Sequence, residues 1–460
     1  MIRISTLLLL LSTLSFTKVK MPKDDYSYAL LELANNKLVT SHNLNRPMVL
    51  ASVSKLFTMH YALSQLGAGF QFETKVYFSG KVENSIAKGK LYLVGSGDPY
   101  LVAPNLISII KQIQRAGIKK LDGEFFYDDS ELSFTHRLSS LGLEDQPDNP
   151  SMGALNLEFN RFKVWGKGQQ IHPPLESIEL QSKNKSSNGL KFDFLSEKKM
   201  ETWRVNKKES LKFIEDLPTR NSSVFTAEYF RFLAKKHGLE LPEGRPGKWA
   251  NKGKLLGTHK SLPLRRLATL GLEYSNNLIA ETLLKMAAKE HSQKTLDSEK
   301  ASQLMHKWLQ KKLNQVNWKQ SSFKNGSGLT LHNKVNAKTM VQYLGGVDKE
   351  FYGSKSFWSL LSINAHSGGL ARRLRHPKYA FRVYGKTGSL YYVSNLAGFL
   401  VADSGKKYAY ALMMTDKSKR EQLNSKNSAL NNKLRSRSKS WFSLSIKEQD
   451  KLLKEWIKKY

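Results

Sequence analysis

The stretch VLASVSKLFTMHYALSQL, residues 49–66, is apolar around nearly its whole circumference when it is drawn as a helix. Its few polar residues include Ser52 and Lys55, and Gly67 follows directly after it. A helix that is apolar on every side is typical of a protein interior, and a glycine commonly ends a helix. The stretch therefore predicts a helix buried in a core.

Ser52 and Lys55 are three residues apart on this predicted helix. Side chains with that spacing share one helix face, about 5 to 6 Å apart at Cβ, so the Lys55 amine can reach the Ser52 hydroxyl. A serine nucleophile needs a base at that distance, and burial lowers the pKa of a lysine from about 10.4 towards neutrality. The alternative is a lysine that extends its charge from a core helix to water.

A second candidate segment, Ser275-Asn276-Asn277, stands directly before a predicted helix. On an extended loop, Ser275 and Asn277 point to the same side, where the hydroxyl can relay a proton and the carboxamide can hold a substrate amide. The alternative is that Ser275 is the N-cap of the helix that follows.

The third segment is Lys386-Thr387-Gly388, followed by Ser389, in the strand-like sequence FRVYGKTGSL. Lys386 and Thr387 supply a charge and a hydroxyl for a carboxylate, and Gly388 would let substrate backbone approach the strand edge. The backbone N–H groups of Ser389 and Ser52 could form an oxyanion hole. A lone triplet of this kind is more commonly a strand end and turn.

Each segment is weak evidence by itself, since only Lys-Thr-Gly occurs once. Serine is followed three residues later by lysine also at Ser15, Ser85, Ser182, Ser196, Ser321, Ser404 and Ser436. None of these other pairs lies on a helix that is apolar all round. The three segments also stand in the order found in penicillin-binding proteins and active-site-serine β-lactamases.

Other stretches extend this similarity over most of the chain. They are LYLVGSGDPYL at 91–101, LDGEFFYDDS at 121–130, ALNLEFN at 154–160, NGSGLTLHNKVNAKTM at 325–340 and HSGGLARRL at 366–374. The chain thus resembles the D-alanyl-D-alanine carboxypeptidase/endopeptidase family, the class C low-molecular-mass penicillin-binding proteins. That family carries a large insertion between the first two segments, as this chain does, whereas class A β-lactamases have them closer together.

The resemblance implies a role for each matching residue. The roles are nucleophile for Ser52, general base for Lys55, proton transfer to the leaving amine for Ser275, peptide binding for Asn277, and carboxylate binding for Lys386 and Thr387. Two positions depart from the family pattern, since Val53 replaces a threonine and Asn276 stands where aspartate is frequent. Neither is assigned a bond-making role, and no cofactor or metal is expected.

The predicted fold class is α/β (α+β), with a transpeptidase-like domain of the penicillin-binding-protein and β-lactamase type, in which helices flank an antiparallel sheet. An early hairpin and late strands can close into this sheet. The predicted elements are strands at 27–33, 37–41, 379–384, 396–401 and 408–414, and a final helix opened by a capping box at Ser445. The predicted domains are 18–72 plus 255–460 for catalysis, and 73–254 as an insertion of one or two small domains.

The first residues are typical of an export signal. Arg3 gives a positive start, residues 4–16 are an apolar and hydroxyl run, and residues 15–17 offer a small-x-small cleavage site. The run is shorter than the roughly 20 residues that span a bilayer. We therefore expect a signal peptide over residues 1–17 and a secreted protein, periplasmic or extracellular. The chain has no cysteine, which excludes disulfides and thiolate metal sites.

The net charge of the 460-residue chain is +34. Such a charge predicts attraction to anionic surfaces, which for an exported protein are the cell wall or a membrane surface. The alternative is a surface that is simply solvated by lysine. The basic residues are spread along the chain without an arginine-aromatic RNA motif, so nucleic-acid binding is not expected.

Three functions follow from these observations. The favoured one is a serine peptidase that cleaves D-Ala-D-Ala ends or cross-links of peptidoglycan through an acyl-enzyme on Ser52, with β-lactams as covalent inhibitors. The second is a non-catalytic protein that binds the wall or senses β-lactams with the same pocket. The third is a β-lactamase, which needs a deacylation base that neither Glu144 nor Glu158 convincingly supplies.

Overall fold

The computed structural model describes most of the chain. The described residues are 26–141, 143–165, 170–183, 192–196, 200–206, 214–423 and 428–460. The predicted signal peptide, residues 1–17, lies outside them.

The strands, in chain order, are mostly short outside two large sheets. They are β1 Tyr26–Glu32, β2 Lys37–His42, β3 Met48–Val49, β4 Glu73–Glu83, β5 Ile86–Val94, β6 Lys120–Asp128, β7 Arg161–Trp165, β8 Gln170–His172, β9 Ile178–Lys183, β10 Phe192–Ser196, β11 Glu201–Asn206, β12 Glu215–Pro218, β13 Gly244–Pro246, β14 Lys254–Lys260, β15 Lys334–Val335, β16 Phe351–Tyr352, β17 Lys355–Ser356, β18 Ser362–Ile363, β19 Val383–Leu390, β20 Val393–Val401 and β21 Lys407–Thr415.

The helices range from short turns to one long C-terminal helix. They are α1 Lys55–Leu66, α2 Ala103–Arg115, α3 Ser222–Lys236, α4 Leu264–Glu273, α5 Asn277–Ser292, α6 Ser298–Lys312, α7 Ala337–Val347, α8 Lys417–Gln422 and α9 Ser428–Lys459. Within the described residues, none of them combines the length and the apolar character needed to cross a bilayer.

The largest sheet is antiparallel throughout, with the strand order β18-β19-β20-β21-β1-β2. Its first strand in sequence pairs with its last, so that Tyr26 lies opposite Met414 and Glu32 lies opposite Tyr408. The two ends of the chain therefore meet in one sheet. This arrangement of an antiparallel sheet flanked by helices confirms the predicted α+β class.

Successive side chains of these strands enter different cores, because neighbours on a strand point to opposite faces. On one face, Ala397 and Ala411 pack in the core that contains the apolar residues of α1, α4, α5, α6 and α7. On the other face, Leu396 and Leu412 pack with Trp456 and other residues of α9. Helix α1 is therefore buried, as its composition predicted.

The segment between α1 and α4 builds its own sheet, with the order β13-β6-β5-β4-β14. Its inner face packs with α2 and α3 in a separate core. Two three-stranded sheets follow in the same segment, β12-β7-β8 and β10-β11-β9. The predicted boundary at residue 254 falls on the first residue of β14, whose last residue, Lys260, lies opposite Glu73 at the start of β4.

Two predicted elements begin later than the sequence suggested. Residues 51–54 form a 3-10 turn, and α1 starts at Lys55, because Ala51 has a positive φ of 48° that an α-helix cannot contain. The strand predicted at 379–384 starts at Val383, because Phe381 has a φ of 61° and the Asn364 side chain accepts the N–H groups of the residues that open the strand.

The predicted start of the last helix at Ser445 is wrong. Ser445 is buried in the middle of α9, and its hydroxyl donates to the Phe442 carbonyl at 2.7 Å. The helix continues upstream because Leu434 and Trp441 are buried against Tyr392 and its neighbours. This tertiary packing outweighs the local capping signal.

Candidate active site

The predicted nucleophile and base lie on consecutive turns. Ser52 is in the 3-10 turn and is half-buried, while Lys55 opens α1 and is fully buried. The Lys55 Nζ donates to the Ser52 Oγ at 3.0 Å. The serine hydroxyl therefore faces the cavity described below, and the amine approaches it from inside the protein.

Two further acceptors fix the Lys55 amine in this position. Nζ donates to the Asn277 Oδ1 and to the Ser327 carbonyl, both at 2.7 Å. A lysine amine can donate three hydrogen bonds, and together with Ser52 these acceptors occupy all of them. Lys55 is therefore held in one orientation and does not extend to water.

Burial lowers the pKa of Lys55 to about 7, although the nearby carboxylates of Glu281 and Asp148 act in the opposite direction. Removing an ammonium group from water disfavours its charged form, whereas an anion nearby favours it. A substantial fraction of Lys55 is consequently neutral near pH 7. The amine can therefore accept a proton from Ser52.

The segment 275–277 differs from the predicted extended loop. Asn276 is the N-cap of α5, since its Oδ1 accepts the Ile279 N–H at 3.0 Å. Ser275 is therefore not the cap, and its φ of 56° sets it in the wall of the cavity. Asn276, which departs from the family pattern, thus caps α5, and the Ser275 hydroxyl is not needed for that cap.

Asn277 is the first residue of α5 and is largely buried. Besides accepting from Lys55, its side chain donates to the Asp148 carbonyl at 2.9 Å. Both ends of the carboxamide are therefore used to position residues of the protein itself. Asn277 also lines the cavity, as its predicted peptide-binding role requires.

The Lys-Thr-Gly segment lies on β19, and its side chains alternate as they do in any strand. Thr387 and Ser389 line the cavity, while Lys386 and Gly388 are buried beneath it. The Lys386 Nζ donates to the Thr387 carbonyl at 2.8 Å. The strand therefore presents the threonine hydroxyl to the cavity and keeps the lysine charge behind it.

Gly388 is also required by the packing of the protein's own backbone. A Cβ at this position would lie 2.6 Å from the Leu50 carbonyl oxygen and 3.0 Å from the Val53 backbone nitrogen. The glycine thus allows β19 to pack directly against the turn that carries Ser52. The close approach is made by the protein's own backbone.

Two buried lysines lie near each other in the site. Burial is the main cause of the lowered pKa of Lys55. The pKa of Lys386 lies well below its ordinary value, first because of burial and then because of repulsion by Lys55. Each lysine therefore disfavours the charged form of the other.

Glu281, which no motif in the sequence indicated, lies one turn after Asn277 on α5 and is fully buried. Its Oε1 accepts the Ser327 N–H at 2.7 Å, and the Ser327 carbonyl accepts Lys55. Glu281 therefore positions one acceptor of the base and places a negative charge near it. The signal was an acidic residue among the apolar residues of the first turns of α5, four residues after Asn277.

The loop that contains Ser327 packs against the nucleophile turn. Gly328 has a φ of 78°, and a Cβ there would lie 1.8 Å from the Ala51 carbonyl oxygen. Asn333 donates to the Ser54 hydroxyl at 3.0 Å from the same side. The NGSG sequence at 325–328 thus supports the turn that holds Ser52.

These residues surround a cavity of about 980 Å³. Ser52, Ser275, Asn277, Thr387 and Ser389 line one side of it. The inserted segment contributes Asp148, Phe159 and Arg161. Further lining residues are Arg420 of α8, Leu423 directly after it, and Arg435, Ser438, Lys439 and Phe442 of α9. The cavity is therefore closed jointly by the catalytic sheet, the insertion and the C-terminal helix.

Glu158, considered above as a deacylation base, has another task. Its Oε1 accepts the Ala103 N–H at 2.8 Å, at the first residue of α2. Neither Glu158 nor Glu144 is among the described residues that line the cavity. This placement gives no support to the β-lactamase alternative.

The family model of the D-Ala-D-Ala carboxypeptidase 3 (S13) family matches residues 15–170 and 230–435. Among similar proteins, D-alanyl-D-alanine carboxypeptidase DacB of Haemophilus influenzae is 28% identical over 403 residues, 82% of each chain. A D-alanyl-D-alanine carboxypeptidase of an Actinomadura species is 24% identical over 82% of this chain and 75% of that one.

Solved structures show the same fold. Penicillin-binding protein 4 of H. influenzae superposes with a TM-score of 0.77 at 24% identity, covering 94% of this chain and 96% of that chain. A predatory endopeptidase of Bdellovibrio bacteriovorus gives 0.52 at 17% identity, covering 94% and 92%. With a family model that matches more than half of its residues, the chain belongs to the D-Ala-D-Ala carboxypeptidase 3 (S13) family.

Proposed function

We propose that this protein is an exported serine DD-peptidase that acts on peptidoglycan through an acyl-enzyme on Ser52. The observation that carries the proposal is the convergence of Ser52, Lys55, Ser275 and Thr387 at one cavity, with the Lys55 amine 3.0 Å from the Ser52 hydroxyl. A hydroxyl, a base poised near neutral pH and a second hydroxyl are the groups that acyl transfer needs.

In the proposed acylation, the Ser52 oxygen attacks the carbonyl carbon of the penultimate D-alanine, and the hydroxyl proton passes to Lys55. The tetrahedral intermediate collapses when the bond to the leaving amine breaks, and Ser275 passes the proton from Lys55 to that amine, which returns Lys55 to its neutral form. Water then attacks the ester, which releases the shortened peptide and regenerates the Ser52 hydroxyl. Thr387 binds the terminal carboxylate at the cavity wall, and Lys386 behind it adds positive charge when the bound anion favours its protonated form. The Ser52 and Ser389 N–H groups stabilise the oxyanion.

The proposed substrates are the D-Ala-D-Ala ends and peptide cross-links of peptidoglycan, and β-lactams are the proposed covalent inhibitors. The similarity to D-Ala-D-Ala carboxypeptidases supports the substrate class. The Haemophilus penicillin-binding protein 4, which shares the fold, has also been solved in complex with a β-lactam. The proposed location is the periplasm or the cell exterior, where the strongly basic chain meets anionic wall or membrane surfaces.

The decisive test compares the wild-type protein with Ser52→Ala for labelling by a fluorescent penicillin. We expect stoichiometric labelling of the wild type and none of Ser52→Ala. Ser64→Ala is a control on the same element, because Ser64 is exposed near the end of α1 and does not line the cavity. Equal labelling of Ser52→Ala would refute the assignment of the nucleophile.

A second experiment identifies the products that the purified protein releases from isolated sacculi. Loss of terminal D-alanine indicates carboxypeptidase activity, and conversion of cross-linked dimers to monomers indicates endopeptidase activity. Acylation by penicillin without any change in the muropeptides would instead support the non-catalytic sensor.

A further inference from the structure

A loop of the inserted segment reaches the catalytic residues. We call residues 143–149 the wall loop, because several of them line the cavity. The Asp148 carbonyl accepts the Asn277 side chain at 2.9 Å, and Asn277 accepts the Lys55 amine at 2.7 Å. The wall loop is thus two hydrogen bonds away from the proposed base.

Arg220 holds the wall loop from inside the protein. It stands directly before Asn221, the N-cap of α3, is 1% exposed and does not line the cavity. Its guanidinium donates to the Asn149 carbonyl at 2.9 Å and to the Glu144 carbonyl. A guanidinium can bind two such acceptors at once, because its donors form a planar, rigid fork. A single side chain thus fixes both ends of the wall loop.

Arg220 is itself fixed by strand β11. Its backbone N–H donates to the Glu201 Oε2 at 2.9 Å, and its guanidinium lies over the Trp203 ring, 5.4 Å from the centroid. Glu201 is 6% exposed and also accepts the Thr219 hydroxyl at 2.6 Å and the Trp203 indole N–H at 2.8 Å. None of the described residues of the sheet β10-β11-β9 lines the cavity. Arg220 therefore connects this small sheet to the wall loop.

The wall loop also brings a charge close to the base. Burial lowers the pKa of Lys55, and the carboxylates of Glu281 and Asp148 act in the opposite direction. Lys386 is a further basic group near the amine. Because Asp148 lies on the wall loop, displacement of the loop would weaken its effect on Lys55. The position of the loop therefore affects both the orientation and the pKa of the amine.

We propose that Arg220 is a positioning residue for the reaction, which holds the wall loop in the place from which Asp148 orients Asn277 beside the base. This role rests on the proposed function, in which Lys55 is the base. Buried hydrogen bonds from a charged donor are among the stronger ones in proteins, as a fixed loop requires. The small sheet of the insertion thereby takes part in catalysis as the anchor of Arg220.

The test measures the rate of acylation by a fluorescent penicillin against pH in Arg220→Lys and Arg220→Gln, neither of which has the guanidinium fork. We expect the rate to fall by about 10- to 100-fold, as small displacements of reacting groups do. The acid limb of the profile should also move to lower pH, because the Asp148 carboxylate then favours the Lys55 ammonium less. Loss by the same factor at every pH, with the limb in place, would indicate a purely structural role and overturn the proposal.

Arg231→Gln is the matched control. Arg231 also lies on α3, but its guanidinium bonds to the exposed Glu176 at 3.2 Å and does not line the cavity. The rate and the limb should therefore stay as in the wild type.

A double mutant tests whether Arg220 acts through the wall loop. Asp148→Asn removes the charge but keeps the carbonyl, so it should move the acid limb to lower pH by itself. Adding Arg220→Lys should lower the rate without moving the limb further, and a further shift would contradict the proposal. The limb reports only on active molecules, so the comparison holds even where part of a variant is unfolded.

Amide hydrogen exchange separates this inference from the proposed function, because it needs no reaction. The Gln146 and Asn149 N–H groups bond within the wall loop, and in Arg220→Lys they should exchange faster than in the wild type, with α7 unchanged. Unchanged exchange in the loop would overturn the proposal. A wild type that penicillin does not acylate, together with faster exchange in Arg220→Lys, would overturn the proposed reaction and leave the hold on the loop standing.

Discussion

Buried basic residues lie on two sides of the cavity, but burial changes the protonation of the lysines and not that of the arginine. On the inner side, Lys55 and Lys386 are buried and their pKa values fall, to about 7 for Lys55. On the side formed by α8 and α9, the buried residue is Arg420 of α8, whose guanidinium stays charged at neutral pH. Burial thus turns a lysine into a base, whereas it leaves an arginine as a permanent cation.

The largest expected effect comes from exchanging the residue type on the inner side. In Lys55→Arg the side chain cannot accept the Ser52 proton, so the rate of acylation by a fluorescent penicillin should fall by about 10²- to 10⁴-fold. Lys55→Met, which removes the charge, should show the same loss, and circular dichroism checks the fold of both. A rate within tenfold of the wild type in either variant would rule out Lys55 as the base.

The next largest effect is expected where β19 packs against the turn that carries Ser52, at Gly388. In Gly388→Ala the new methyl group meets the Leu50 carbonyl, so the free energy of unfolding should fall by about 1 to 3 kcal/mol. Gly69→Ala is the control, because nothing lies within 4 Å of a Cβ there, and its change should stay within about 0.5 kcal/mol. Equal unfolding midpoints in urea for the two variants would contradict this reading.

A third prediction concerns the charge that Glu281 places near Lys55. The neutral amine is the active form, so kcat/KM should rise with pH through about 7. In Glu281→Gln the ammonium loses a favourable anion, its pKa falls, and the acid limb of the profile should move to lower pH. Glu299→Gln, a change at an exposed site, should leave the limb in place.

A purely structural role of Glu281 predicts something else. The Glu281→Gln variant would then lose activity at every pH by the same factor, and the limb would not move. A shift to higher pH would contradict the proposed charge interaction.

Much of the site could be predicted because its signals are local or shared with a family. The Ser52 and Lys55 pairing follows from a spacing of three, although the structure places it across the junction of a 3-10 turn and α1. The approach of Ser275 and Thr387 to Ser52 does not follow from any spacing. It was expected only because the three segments resemble those of known peptidases.

The wrong or missing predictions concern positions where a capping rule fits more than one residue, or where the contact partner is distant in sequence. Ser275 and Asn276 are both good N-cap residues, so the sequence could not decide between them. The capping pattern at Ser445 was overridden by packing of the upstream turns of α9. Glu281 was missed because its hydrogen-bond partner, Ser327, lies 46 positions away.

The pairing of β1 with β21 has a consequence for how the protein is made. The strand at Tyr26–Glu32 must wait for Lys407–Thr415 before it gains this neighbour, so the central sheet depends on contacts between the two ends of the chain. Contacts of such long sequence separation slow folding. A chain interrupted before residue 407 lacks that partner strand and all of α9, so it can neither finish the sheet nor close the cavity. Synthesis of the C-terminal residues therefore sets the moment at which the enzyme can become active.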